Sequence, residues 1–177
     1  MKKILTIGAS NSTTSINRTL ARYAASFLKG CACESLDLND FEMPIYSPER
    51  ESSTGVPNEA QRLVTYIESS AGIILSLAEH NGNYSAAFKN ILDWASRHKQ
   101  RVWSDKPMLL MSTSPGGRGG ATVLNAAKTS FPHLGANVIS SYSLPSFYSN
   151  FDVNEGITNP ELKLQLESAV EGFAKAL

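Results

Sequence analysis

"ILTIGASNSTTSINRTLARYAA" (residues 4–25) decides the fold. The stretch opens as a short run rich in Ile and Leu that ends at Gly8, and residues 2–8 read as a buried strand. It then runs into Ile16, Leu20, Tyr23 and Phe27 at helical spacing, with Ser15 as N-cap and Gly30 as the stop. Between strand and helix lies a loop made almost wholly of Ser, Thr and Asn. A cap needs one hydroxyl, so a loop this dense in them points to a ligand. The start of a helix presents unsatisfied N–H groups and the positive end of its dipole, and a phosphate docked there needs no lysine. Ser10, Ser12, Thr13 or Thr14, Ser15 and Asn17 would add hydroxyl and amide donors. A plain polar turn capped by Ser15 is the other reading of the loop taken alone.

Two commoner phosphate loops are absent. After Gly8 there is neither the second Gly nor the Lys of G-x-x-x-x-G-K, and G-x-G-x-x-G is missing as well. That disfavours ATP and a tightly held dinucleotide, and leaves a monophosphate cradled by neutral donors.

Outward from this unit the pattern repeats. Strands are expected over residues 31–38, 72–78, 106–113 and 136–144. Helix faces are marked by Ala60, Leu63, Val64 and Ile67, by Phe88, Ile91, Leu92 and Ala95, and by Leu124, Ala127, Phe131 and Leu134. Asn159 and Pro160 open a last helix through Leu162, Leu166, Val170 and Phe173. Residues 39–57, with Pro44, Pro48, Gly55 and Pro57, read as a long connection. Five strands alternating with five helices imply an α/β fold, a parallel sheet covered on both faces as a three-layer sandwich. Ligands in such sheets bind beyond the carboxyl ends of the strands. At 177 residues and 42% hydrophobic content the chain is expected to form one domain over residues 1–177.

Two further loops therefore matter. "AEHNG" (78–82) follows the third strand and would present Glu79, His80, Asn81 and Gly82 at the sheet edge, with Asn81-Gly82 as a tight turn. Asn83 or Ser85 would cap the next helix, and Asp93 and Trp94 read as helix packing. "STSPGGRGGA" (112–121) follows the fourth strand, and its glycines permit close backbone approach to a flat ligand with free N–H groups.

Sixteen Lys and Arg balance sixteen Asp and Glu, so no global field favours nucleic acid or an anionic membrane. The amino terminus is too weakly apolar for a signal peptide and no stretch reaches a membrane span, which makes a cytoplasmic setting the expectation. Cys31 and Cys33 would share one face of a strand and read as buried thiols rather than a disulfide or a metal site. Trp103, Phe147, Tyr148 and Phe151 read either as interface side chains or as local core cover.

With the three loops in hand, the chain resembles the NADPH-dependent FMN reductase family, flavodoxin-like quinone and azo-dye reductases. Ala9, Ser10, Ser12, Ser15 and Asn17 fall on the register of the first-loop motif, roughly G-S-x-R-x-x-S-x-N. The second, P-E-Y-N-G followed by L-K-N-x-x-D-W, is met by "AEHNG" and "FKNILDW", and the third by "STSPGGRGG". The resemblance implies a flavodoxin-like sandwich with strand order 2-1-3-4-5, and FMN as cofactor with NAD(P)H as co-substrate. It also implies a small acceptor such as a quinone, a flavin or an azo compound, and a homodimer or homotetramer. By the same resemblance Ser10, Ser12, Thr13, Ser15, Ile16 and Asn17 hold the FMN phosphate. Glu79, His80, Asn81 and Gly82 border the ring, and Ser114, Gly116 and Gly117 meet its pyrimidine edge. Ser12 stands for the usual Arg, Ala78 for Pro and His80 for Tyr. A titrating histidine beside the ring would tie flavin potential to pH. The cofactor carries the chemistry, so no catalytic side chain and no metal are expected. An FMN electron carrier, or a flavin-free binding protein of the same fold, are the rival functions.

Overall fold

Lys2–Ala9 forms the first strand, β1, and its residues from Ile4 onward are buried without a break. A strand buried on both faces has no use for polar alternation, which is why Ile4, Leu5 and Ile7 are apolar and the one polar residue among them, Thr6, is buried with its hydroxyl donating to the Glu34 carbonyl (3.4 Å). The computed structural model describes residues 1–177. β1 is followed by α1 (Ile16–Ser26), β2 (Cys31–Leu36), α2 (Pro48–Thr54), α3 (Asn58–Ser69) and β3 (Gly72–Leu77). Then come α4 (Ala86–His98), β4 (Pro107–Thr113), α5 (Ala121–Ser130), β5 (Asn137–Leu144), α6 (Phe147–Asn150) and α7 (Pro160–Lys175). The five strands are all parallel and lie in the order β2-β1-β3-β4-β5.

Helices cover both faces. Leu5 and Ile7 point into a core of 27 buried residues shared with α3, α4 and α5, where Trp94, Trp103 and Phe131 are the largest side chains. Ile4 points the other way, into a core of 15 buried residues under α1 and α7 that includes Leu20, Leu166 and Phe173. Gly8 lets α1 lie against β1, because a Cβ at that position would stand 2.4 Å from the Arg18 backbone nitrogen.

Several boundaries differ from the sequence reading. β2 stops at Leu36 because Asp37 accepts from the Asn39 N–H (3.0 Å) and caps a 3-10 turn over Leu38–Phe41. The long connection contains α2, opened by Ser47, which accepts from the Arg50 N–H at 3.3 Å, by Pro48 in the first turn, and closed by Gly55. α5 ends at Ser130 and Pro132 turns the rest of that apolar face into a 3-10 turn, Phe131–Leu134. Cys31 is half-buried and Cys33 exposed, not buried as expected, because β2 is the edge strand and its face is only partly covered by α1; both thiols are free. Trp103 and Phe147 are core cover, whereas Tyr148 is exposed. No helix is long and apolar enough to cross a membrane, and no group of three or more His, Cys, Asp or Glu side chains converges as metal ligands.

Candidate functional site

The strand register brings the three loops together. Ala9 of β1 pairs with Leu77 of β3, Leu77 with Ser112 of β4, and Thr113 with Leu144 of β5, so the strands end level and their following loops share one edge. Between the loops lies a cavity of about 230 Å³. A larger groove of about 870 Å³ lies at the opposite, amino-terminal end of the strands, between α1 and α7 and remote from these loops.

The first loop is held from within. Ser10 Oγ accepts from the Ser12 N–H (3.2 Å), Ser12 Oγ from the Thr14 N–H (3.3 Å) and Ser15 Oγ from the Arg18 N–H (3.1 Å). A hydroxyl that accepts from a backbone N–H keeps its own proton to donate. The Ile16 and Asn17 N–H groups at the start of α1 meet no acceptor in the chain, so two of the four orphan donors of the helix stay open. Ser10, Ser12, Ser15, Ile16 and Asn17 all border the cavity; Thr13 does not. The cavity wall carries no lysine or arginine.

The Asn17 side chain has another task. Its Nδ2 donates to the Thr113 carbonyl (3.1 Å), and its Oδ1 accepts from the Thr113 N–H (3.0 Å) and from Ser76 Oγ (2.7 Å). It is 2% exposed and clasps α1 to β3 and β4. What Asn17 offers to the cavity is its backbone N–H.

The second loop is a hairpin, Glu79–His80 paired with Asn83–Tyr84. Asn81 (φ 52°) and Gly82 (φ 75°) form its two-residue tip, the left-handed pair that such a turn requires. Glu79 and His80 border the cavity, while Asn81 and Gly82 lie off it at the tip. Glu79 also reaches across: its Oε2 accepts from the Val123 N–H (2.9 Å) and caps α5, whose own cap position, Gly120, has no side chain to do so. Ser85 caps α4 through the Phe88 N–H (3.2 Å) and donates to the Ala9 carbonyl (2.8 Å), tying this loop to the end of β1.

The third loop is pinned at one atom. Ser112 Oγ (2.7 Å) and Ser143 Oγ (2.9 Å) both donate to the Gly119 carbonyl. The Ser146 N–H donates to the Gly116 carbonyl (2.9 Å) and the Phe147 N–H to the Ser114 carbonyl (3.0 Å). A Cβ at Gly119 would stand 2.4 Å from Ser143 Oγ, so glycine is required for that approach. The N–H groups of Ser114, Gly116, Gly117 and Arg118 find no acceptor in the chain. Ser114 borders the cavity; Gly116 and Gly117 are exposed beyond its rim.

Of the two threonines offered as phosphate donors, Thr14 borders the cavity and Thr13 does not; Thr113, Pro115 and Tyr148 also border it, and Tyr148 is 72% exposed at its mouth. Tyr148 comes from the segment after β5, outside the three loops that strand order singles out, and only its aromatic character marked it.

The model of the NADPH-dependent FMN reductase family matches residues 2–148. This chain belongs to that family. Among its relatives is an NADPH azoreductase of Bacillus sp. (strain OY1-2), 32% identical over 122 residues, which are 69% of this chain and 64% of that protein. The chain thus spans less than two thirds of that relative. A 2-hydroxy-1,4-benzoquinone reductase of Burkholderia sp is 27% identical over 179 residues, 97% of this chain and 94% of the relative. FerB, a flavoenzyme NAD(P)H:(acceptor) oxidoreductase from Paracoccus denitrificans, has the same fold, with a TM-score of 0.78 at 24% identity over 99% of this chain and 96% of the other. The donor set agrees with the cofactor in the family's name: open N–H groups and hydroxyls at a helix start suit a phosphate, and open N–H groups on a glycine loop suit the carbonyl edge of a flat ring.

Proposed function

We propose that the chain is an FMN-dependent NAD(P)H oxidoreductase acting on a small acceptor such as a quinone, a flavin or an azo compound. The phosphate of FMN is held by the hydroxyls of Ser10, Ser12, Thr14 and Ser15 and the open N–H groups of Ile16 and Asn17, and Thr13, which lies off the cavity, takes no part. Glu79 and His80 border the ring, with Asn81 and Gly82 turning the hairpin that presents them, and Ser114, Gly116 and Gly117 donate from their backbone to its pyrimidine edge. When bound, FMN supplies two-electron exchange between NAD(P)H and the acceptor. The side chains bind and orient: open N–H groups at the ring's edge stabilise negative charge there, and Asn17 and Glu79 hold the loops in register. The observation that carries this reading is the pair of open N–H groups at the start of α1, ringed by hydroxyls and unaccompanied by any cation in the cavity wall.

NAD(P)H and the acceptor would use one mouth in turn, between His80 and Tyr148. A second copy of the chain covering that mouth fits the exposed ring of Tyr148, and sedimentation at working concentration would report a dimer or tetramer. The primary test is an absorbance spectrum of purified protein before and after anaerobic NAD(P)H. A flavin band that bleaches within seconds is expected. A band that persists supports an electron carrier instead, and protein that stays colourless with added FMN overturns the cofactor assignment. Initial-rate plots against both substrates should give parallel double-reciprocal lines; intersecting lines overturn the shared mouth.

A further inference from the structure

The phosphate loop contains no lysine or arginine, and none lines the cavity. A cation nevertheless lies behind it. Arg18, on the first turn of α1, sends its guanidinium back under the loop, where Nη2 donates to the Thr13 carbonyl (2.6 Å) and Nη1 pairs with Asp37 Oδ2. Its side chain is 16% exposed and that of Asp37 37%, so the pair lies partly in reach of solvent. Asp37, where β2 gives way to its 3-10 turn, is itself fixed: Oδ1 accepts from the Asn39 N–H (3.0 Å) and from Asn39 Nδ2 (2.8 Å). Asn39 Nδ2 also donates to the Asn11 carbonyl (3.2 Å), so the Asp37 unit braces the loop from the other side. The two charges cancel when viewed from above the loop.

We infer that Asp37 attenuates the hold on the flavin phosphate by neutralising Arg18, the cation built in behind the loop. This rests on the loop being the FMN phosphate site. A phosphate monoester carries about −1.5 to −2 at neutral pH, and a lone guanidinium behind its cradle would attract it across the exposed loop, an attraction that salt weakens. Paired with Asp37, Arg18 keeps its hydrogen bond to the loop and loses that reach. The chain thereby holds its flavin with dipoles and hydroxyls alone, in a binding mode that favours exchange of FMN with solution over permanent retention. An asparagine at position 37 keeps the oxygen that caps the turn and removes the charge, so it separates attenuation from bracing.

The test titrates FMN and riboflavin separately into flavin-stripped full-length protein, following flavin fluorescence at low and at moderate salt. Asp37→Asn should bind FMN roughly fivefold more tightly than wild type at low salt, with the gain shrinking as salt rises. Riboflavin, which lacks the phosphate, should bind both proteins alike. Asp37→Ser, which also supplies a capping oxygen, should behave as Asp37→Asn does, and Arg18→Gln combined with Asp37→Asn should return FMN affinity to the wild-type value. Equal or weaker FMN binding by Asp37→Asn and Asp37→Ser overturns the inference, as does a change shared by both flavins. Wild type that takes up no FMN overturns instead the function proposed above.

Discussion

Asn17 illustrates how one side chain both builds and aims the site. Its amide spans three hydrogen bonds to Thr113 and Ser76 in the buried interior, and this clasp sets where the first turn of α1 points its open N–H groups. Asn17→Ala would strand the Thr113 N–H and carbonyl and the Ser76 hydroxyl, at a cost of roughly 2–4 kcal/mol. Urea unfolding should show a lower midpoint with an unchanged slope, and FMN affinity should fall with it. The family motif made this asparagine legible, but its role was not, since a loop amide reads equally as ligand donor or as clasp until the partner strands are placed. Asp37 is a second residue with a measurable signature. Hydrogen bonds from Asn39, with Arg18 alongside, hold its carboxyl below the ordinary aspartate range. A depressed folded value means stability that is fully present above the unfolded value, near pH 3.9, and lost as pH falls through the folded one. Asp37→Asn should therefore lose that contribution at neutral pH and flatten the acid limb, its stability converging on that of the wild type once the Asp37 carboxyl is protonated.

Among the elements, α5 depends on its neighbour. It begins at a left-handed Gly120 that offers no side-chain cap, and Glu79 from the hairpin after β3 supplies the acceptor for the Val123 N–H. Glu79→Ala should destabilise the protein by about 1 kcal/mol, the usual worth of a helix cap, whereas Glu79→Gln, which keeps an acceptor oxygen, should recover most of it. Thermal melts of the two variants check this. Ser15 and Asn159 were legible as caps, and Ser85 as one of two candidates with Asn83, because each precedes an apolar periodic run in the chain. Glu79 was not, because it lies 44 residues from the N–H it satisfies. α2 was overlooked for a different reason: it buries none of its residues, so no apolar period marks it, and only Ser47-Pro48 and Gly55 bracket it.

Across the molecule, the three central strands were readable because parallel strands buried on both faces leave a near-continuous apolar signal, the edge strands β2 and β5 were marked by their place in the alternation with helices, and the level strand ends followed from the fold. Less readable was the mouth of the site, since Tyr148 arrives from a segment whose position depends on how β5 and α6 turn. The doubly anchored Gly119 carbonyl, where Ser112 and Ser143 meet, has a thermodynamic corollary. A glycine-rich segment free in solution would surrender motional freedom on capturing a planar guest, whereas this one has surrendered it during folding. Amide hydrogen exchange at Gly119 and Ala121, whose N–H groups are bonded within the loop, should accordingly change little when FMN is added, whereas the open N–H groups of Ser114, Gly116, Gly117 and Arg118 should exchange fast in the flavin-free protein and slow once they meet the flavin.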